Sequence, residues 1–216
     1  MDVGAGAVGL LLGLAAGPVA DRLATNAPAR APLLASTPAS RRVLYVTAAT
    51  TLLGGACGLA FGFSLEAAIA CVFCWILVVV TRTDLEHNLI PNRIVLPGGV
   101  VVLVARTIDD PGAGWALAAV GAGLVLFVLA LVYPGGMGMG DVKLAVLLGA
   151  GLGLAVIVAL LAGFVAAFVP ALTLLIRHGS AARKRTIPLG PFLALGGIIA
   201  LFAGDQILDW YVGLGS

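Results

Sequence analysis

The sequence predicts an all-α polytopic membrane protein of about eight transmembrane helices, one of them short, with amino and carboxyl termini external. Three observations predict it. Hydrophobic residues make up 61% of the 216 residues and charged residues only 10%, with mean hydropathy +1.15, whereas a soluble domain carries about 25% charged residues. Apolar runs recur at about the 20-residue length that lets a helix cross the hydrocarbon core. The basic residues then fall almost wholly on one side of those runs, as the positive-inside tendency demands. Thirty glycines suit membrane helices, which pack by close backbone approach. A net charge of +2 gives no footprint for nucleic acid, so the expected partner surface is the lipid bilayer.

The first span is predicted at about residues 3–20. Its beginning, MDVGAGAVGLLLGLAAGP, has neither the basic flank nor the small-residue cleavage site of a secretory signal, and reads as a retained helix. Residues 21–42, rich in Ala, Pro and Arg, read as a flexible cytoplasmic loop. Spans follow at about 43–63, 65–82, 90–106 and 114–133. From Leu144 to Ile176 the chain runs 33 residues without a charge, too long for one crossing and slightly short for two ordinary ones. Gly149, Gly151 and Gly153 offer a bend, which predicts a short helix to about residue 152 and a full span after it. The last span is expected at 189–208. The whole chain, 1–216, reads as a single membrane domain, with 1–66 holding two spans and the loop, and 67–208 the core.

Charge placement orients these spans. Arg22, Arg30, Arg41, Arg42, Arg82, Arg93, Lys143, Arg177, Arg183, Lys184 and Arg185 share one side, which is eleven of the twelve basic residues. Arg106 is left outside, beside Asp109 and Asp110, on the face that also holds Asp2, Glu66, Asp205 and Asp209. A single crossing at 144–176 would instead set Lys143 opposite the Arg177–Arg185 cluster. By parity, Asp84 and Asp141 then emerge together at the cytoplasmic face.

Those two aspartates stand in the polar islands TRTDLEHNLIPNR and GGMGMGDVK, each where an apolar span ends. A carboxylic acid at the bilayer edge is costly to keep and is a functional candidate by default. Two facing carboxylates can share one proton, one activating a water while the other protonates a scissile carbonyl. Asp141 opens a helix, where amides and the dipole favour an anion, whereas Asp84 follows the end of the third span. Asp141 is therefore expected to be the base and Asp84 the acid. Gly135, Gly136, Gly138 and Gly140 clear side chains from in front of Asp141, so that a peptide or a neighbouring helix can approach. Lys143 either anchors the segment to headgroups, pairs with an acid or snorkels. Pro91 breaks the backbone before the fourth span, so DLEHNLIPN is expected to form a short interfacial connection holding Glu86 and His87.

Cys57, Cys71 and Cys74 lie in apolar runs. Cys71 and Cys74 form a CxxC without a second ligand pair, so they read as small apolar side chains; no metal and no cofactor is expected.

These residues resemble the prepilin (type IV leader) peptidase family, GxGD intramembrane aspartic proteases. GMGDVK (138–143) is similar to the family's GxGDxK element, which covers Gly138, Gly140, Asp141 and Lys143. DLEHNLIPN (84–92) resembles the first-aspartate element, including Pro91 and Asn92, and IPLGPFLALGGIIALFAG (187–204) the family's carboxy-terminal segment. The resemblance covers about residues 67–204. It implies that Asp84 and Asp141 are the catalytic pair of a bacterial inner-membrane endopeptidase facing the cytoplasm. Its implied partners are prepilin-like precursors, each a basic leader followed by a hydrophobic stem helix, with Glu86 a candidate leader contact. Many members carry tandem CxxC zinc pairs in the first loop and also methylate the new amino terminus; residues 21–42 hold no cysteine, so peptidase activity alone is expected. Two other classes stand beside this reading, a proton-coupled transporter and a non-enzymatic pilus-assembly membrane protein.

Overall fold

The computed structural model describes residues 2–28, 32–34, 41–133, 137–178 and 187–213. Arg30, Gly135, Gly136, Arg183, Lys184, Arg185 and part of the first loop, all used above, lie outside these residues. Among the described residues the chain forms eight α-helices and one 3₁₀ turn: α1 (Val3–Asn26), α2 (Arg41–Phe61), α3 (Leu65–His87), α4 (Asn92–Asp109), α5 (Gly114–Val132), α6 (Met139–Leu152), the 3₁₀ turn (Gly153–Ala155), α7 (Val156–His178) and α8 (Gly190–Gly213). Six stretches are long and apolar enough to cross a membrane: α1, α2, α3, α5, the Met139–Arg177 stretch of α6 and α7, and α8. The protein is a multi-pass membrane protein. The span expected at 90–106 is α4, which starts later, at Asn92; its eighteen residues include Arg93, Arg106 and Asp109, and it stands outside that set of six.

The outer surface is apolar, with Leu117, Val120, Leu124 and Leu131 of α5 all exposed, as lipid-facing residues are. α3 and α6 are the central elements. Phe73, Leu77, Leu144, Leu147 and Leu148 are fully buried, and α8 adds Leu193 to the same core. On one flank, α1 and α2 pack backbone to backbone. Gly9 lies against the Gly54 carbonyl, leaving no room for a side chain, and Thr50 Oγ1 donates across the helices to the Gly13 carbonyl at 2.9 Å.

The apolar stretch after Asp141 divides where its glycines predict. α6 stops at Leu152, and Gly153 takes φ 57°, a left-handed conformation that favours glycine. α6 itself begins at Met139, so that Asp141 sits inside its first turn. Its fourteen residues rise about 21 Å, less than the roughly 30 Å of hydrocarbon.

The end of a helix leaves carbonyls without partners in the helix itself. Arg106 supplies one. It is buried at 6% exposure, with Nε donating to the Gly151 carbonyl at 3.1 Å. Its Nη1 lies 3.5 Å from Glu66 Oε1 and its guanidinium 5.0 Å from the Trp115 ring. The charge is kept because three separate elements converge on it. Arg106→Ala is expected to cost about 3 kcal/mol, the loss of a charged hydrogen bond and of a desolvated cation–π contact. Unfolding in detergent micelles checks this, and unchanged stability would show that the α6 end is satisfied by other means.

Two further boundaries differ from the sequence reading. α1 continues through Asn26, so residues 21–26 are helical and not loop. Asp21 is buried there at 3% exposure because Arg82 of α3 pairs with it, Nη1 to Oδ1, at 3.0 Å. Likewise α3 runs past Asp84 to His87, so the connection to α4 is only Asn88–Pro91. Asn88 ends α3 at φ 49°, donating its backbone N–H to the Asp84 carbonyl at 2.9 Å.

Candidate active site

Four helix ends meet at one end of the bundle: the last turn of α3 and the first turns of α4, α6 and α8. Pro91 caps α4, its carbonyl accepting from the N–H of Ile94 and Val95 at 3.0 and 3.1 Å. Asn92 follows, and its Oδ1 accepts from Lys143 Nζ of α6 at 2.9 Å. Gly140 rests on Ile90, where an added Cβ would lie 3.0 Å from the Ile90 Cβ. The polar island after α3 is thus seated directly on the polar island that opens α6.

Both aspartates are buried at this junction. Asp141, third residue of α6, folds back so that its Oδ2 accepts from the Gly138 N–H at 3.1 Å. This satisfies one of the amide donors that a helix start leaves free. Asp84 lies one turn before the end of α3, and its Oδ2 accepts from the Gly190 N–H at 2.9 Å. Gly190 opens α8, so Asp84 too points at a helix start, although it stands near a helix end in its own helix. The geometry therefore removes the contrast between the aspartates that their positions along the chain suggest, since each carboxylate receives one backbone N–H from a helix start. Both carboxylates are buried, at 5% and 8% exposure, where the last turn of α3 meets the first turn of α6. Two acids brought onto a common water can divide the roles of base and acid.

Gly190 is the participant that sequence reasoning missed. A Cβ there would lie 2.7 Å from Asp84 Oδ2 and 3.1 Å from Cγ, so only glycine allows this approach. The signal was present in IPLGPF, a Gly-Pro pair at a helix start, but its target lies 106 residues away.

Glu86, on the next face of α3, is 3.1 Å from Arg42 Nη1 and 3.4 Å from Arg82 Nη2. Arg82 also donates to the Asp21 carbonyl at 2.9 Å and to Thr25 Oγ1 at 3.0 Å. An ion network therefore ties α1, α2 and α3 together beside Asp84. Its Arg82–Glu86 part is legible as an i,i+4 pair. His87 Nε2 is 3.9 Å from Glu86 and half exposed. The cysteines lie elsewhere, with Cys57 Sγ 3.9 Å from Cys74 Sγ between α2 and α3, and no group of three or more metal-ligating side chains exists among the described residues.

Fold and site define a polytopic helical membrane protein with a buried carboxylate pair at one end of its bundle. Residues 71–175, which include both aspartates, match the family described as the type IV leader peptidase family. The chain is 36% identical over 168 residues to a prepilin leader peptidase/N-methyltransferase of Bacillus subtilis, covering 76% of this chain and 66% of that protein. Proteins of the same name from Legionella pneumophila and Pseudomonas aeruginosa are each 33% identical, over 82% and 80% of this chain and 64% and 62% of their own lengths. The chain belongs to the type IV leader peptidase family. It spans just under two thirds of the length of these curated relatives. No solved structure matches it.

Proposed function

We propose that this protein is an intramembrane aspartic endopeptidase that removes the basic leader of type IV pilin-like precursors at the cytoplasmic face of the bacterial inner membrane. The observation that carries the reading is the burial of Asp84 and Asp141 at one junction of four helix ends, each held by one backbone N–H. In the mechanism, one carboxylate takes a proton from water while its partner, protonated, hydrogen-bonds the carbonyl oxygen of the scissile peptide. Water adds to the carbonyl carbon to give a tetrahedral diol. Collapse of the diol breaks the C–N bond as the amine takes up a proton, and the pair returns to one shared proton. Gly138 has no side chain beside the Asp141 carboxylate, which leaves room there for an extended peptide. The cytoplasmic assignment rests on the order of spans along the sequence, which gives eleven of the twelve basic residues the same side as Asp84 and Asp141.

The test is co-expression with a pilin-like precursor, comparing wild type with Asp84→Asn and Asp141→Asn variants that insert normally. Processing that persists in either variant removes the dyad and leaves an assembly protein or a proton-coupled transporter as the reading.

The curated relatives are named for methyl transfer as well as cleavage. We infer cleavage alone for this chain, since residues 21–42 lack the cysteine pairs that mark bifunctional members. Mass spectrometry of the processed product is expected to show a free α-amine. An added methyl group that depends on this protein would overturn that part.

A further inference from the structure

Beside the carboxylates, α2, α3 and α8 line a groove of about 630 Å³ that opens to the apolar outer surface, where Tyr45, Leu85 and Leu195 are exposed. Its walls are Tyr45 and Ala49 of α2, Val78 and Leu85 of α3, and Phe192 and Leu195 of α8. We propose that this groove seats the amino-terminal part of the substrate's apolar stem helix, with the Arg42–Glu86 pair at its polar end receiving the cationic leader. The proposal rests on the peptidase reading and assigns the stem a place.

Three features favour that occupant. The first is continuity with the site. Leu85 directly follows Asp84, and Phe192 lies two residues after the Gly190 whose N–H binds Asp84. A helix leaving the polar end of the groove turns over the start of α8 to bring its first peptide bond above the carboxylates. The second is polarity along the groove. Its deep part is apolar, and its only charged lining residues, Arg42, Arg82 and Glu86, gather at the end nearest Asp84. An apolar stem preceded by a cationic segment has the same order of character. From Arg42 to Leu53 the wall extends about 16 Å along α2, the rise of roughly eleven helical residues.

The third feature is the unequal exposure of the two arginines on Glu86. Arg82 is nearly buried and is held by Asp21 and Thr25, whereas the Arg42 side chain is 65% exposed. A leader cation can therefore replace Arg42 at Glu86 without changing the charge enclosed there. An ion pair with one partner so exposed contributes at most about 1 kcal/mol. Arg42 is thus a resident stand-in for the leader, and Glu86 selects basic leaders over neutral ones.

The experiment uses full-length protein in vesicles carrying Asp84→Asn and Asp141→Asn, so that bound precursor is not consumed. A photoreactive phenylalanine derivative replaces Tyr45 or Leu195 in the groove, or Leu117 on α5 as a lipid-facing control. Cross-links from Tyr45 and Leu195 to the precursor's stem, with none from Leu117, are expected. With both aspartates intact, Ala49→Trp is expected to raise KM about tenfold with kcat unchanged. Glu86→Gln is expected to raise KM for a basic-leader precursor and to leave a neutral-leader one unaffected. Cross-links to lipid alone, or unaltered KM in Ala49→Trp, would overturn the groove assignment while wild-type cleavage stands. A wild type that leaves the precursor intact would instead remove the peptidase reading beneath it.

Discussion

Replacing Asp84 by Asn, or Asp141 by Asn, is expected to lower leader removal by at least about 1,000-fold while leaving membrane insertion and helix content unchanged. Each carboxyl group performs a proton transfer that an amide cannot, and general acid–base steps are worth about 10²–10⁴-fold each. Because the two act on one water and one carbonyl, the losses should not multiply. The double variant is expected to be no slower than the slower single variant, as with residues that function as a unit. Asn is close in size to Asp and can still accept from the N–H of Gly190 or Gly138, so folding should survive. The measurement is the rate at which the precursor is converted to its shorter form, followed by gel shift in membranes. Multiplicative losses would mean that the aspartates serve separate steps and do not form one pair.

The second large effect is expected at Gly190. Its substitution by Ala places a methyl group where Asp84 Oδ2 now lies, 2.7 Å from the ideal Cβ position. Either the carboxylate rotates away from its N–H partner or the start of α8 is displaced; both misalign the reacting group. A shift of about 1 Å in such a group can cost on the order of 100-fold. The loss is expected in kcat with KM little changed, because Gly190 positions a catalytic group and does not line the proposed stem groove. Gly121→Ala is the control, since a Cβ there meets nothing within 4 Å. Full activity in Gly190→Ala would show that the Asp84–Gly190 bond is dispensable.

Much of the fold was legible because membrane helices announce themselves locally. Length and apolarity mark the spans, and the positive φ required at Gly153 marks the break that separates α6 from α7. The two aspartates were legible for a related reason, as charges interrupting runs that exclude charge. Asp21 was not. It lies only a few residues beyond an apolar run and reads as the start of a loop until Arg82, 61 residues away, is brought against it. Charge counting set Arg106 apart from the other basic residues but gave no sign that its side chain is buried. In the fold its charge is spent on a carbonyl near the end of α6.

What the sequence alone determined is therefore everything that depends on neighbours along the chain: the helices, their apolar lengths, the glycine break and the identity of two out-of-place acids. Tertiary structure alone decided what satisfies most of the buried polar groups. Gly190 for Asp84, Arg82 for Asp21 and Arg106 for Gly151 follow from which helices meet, whereas Gly138 for Asp141 is a local bond at the start of α6. The physical reason is that hydrocarbon supplies no hydrogen bonds, so each such group must find its partner within the protein, and mostly on a different helix.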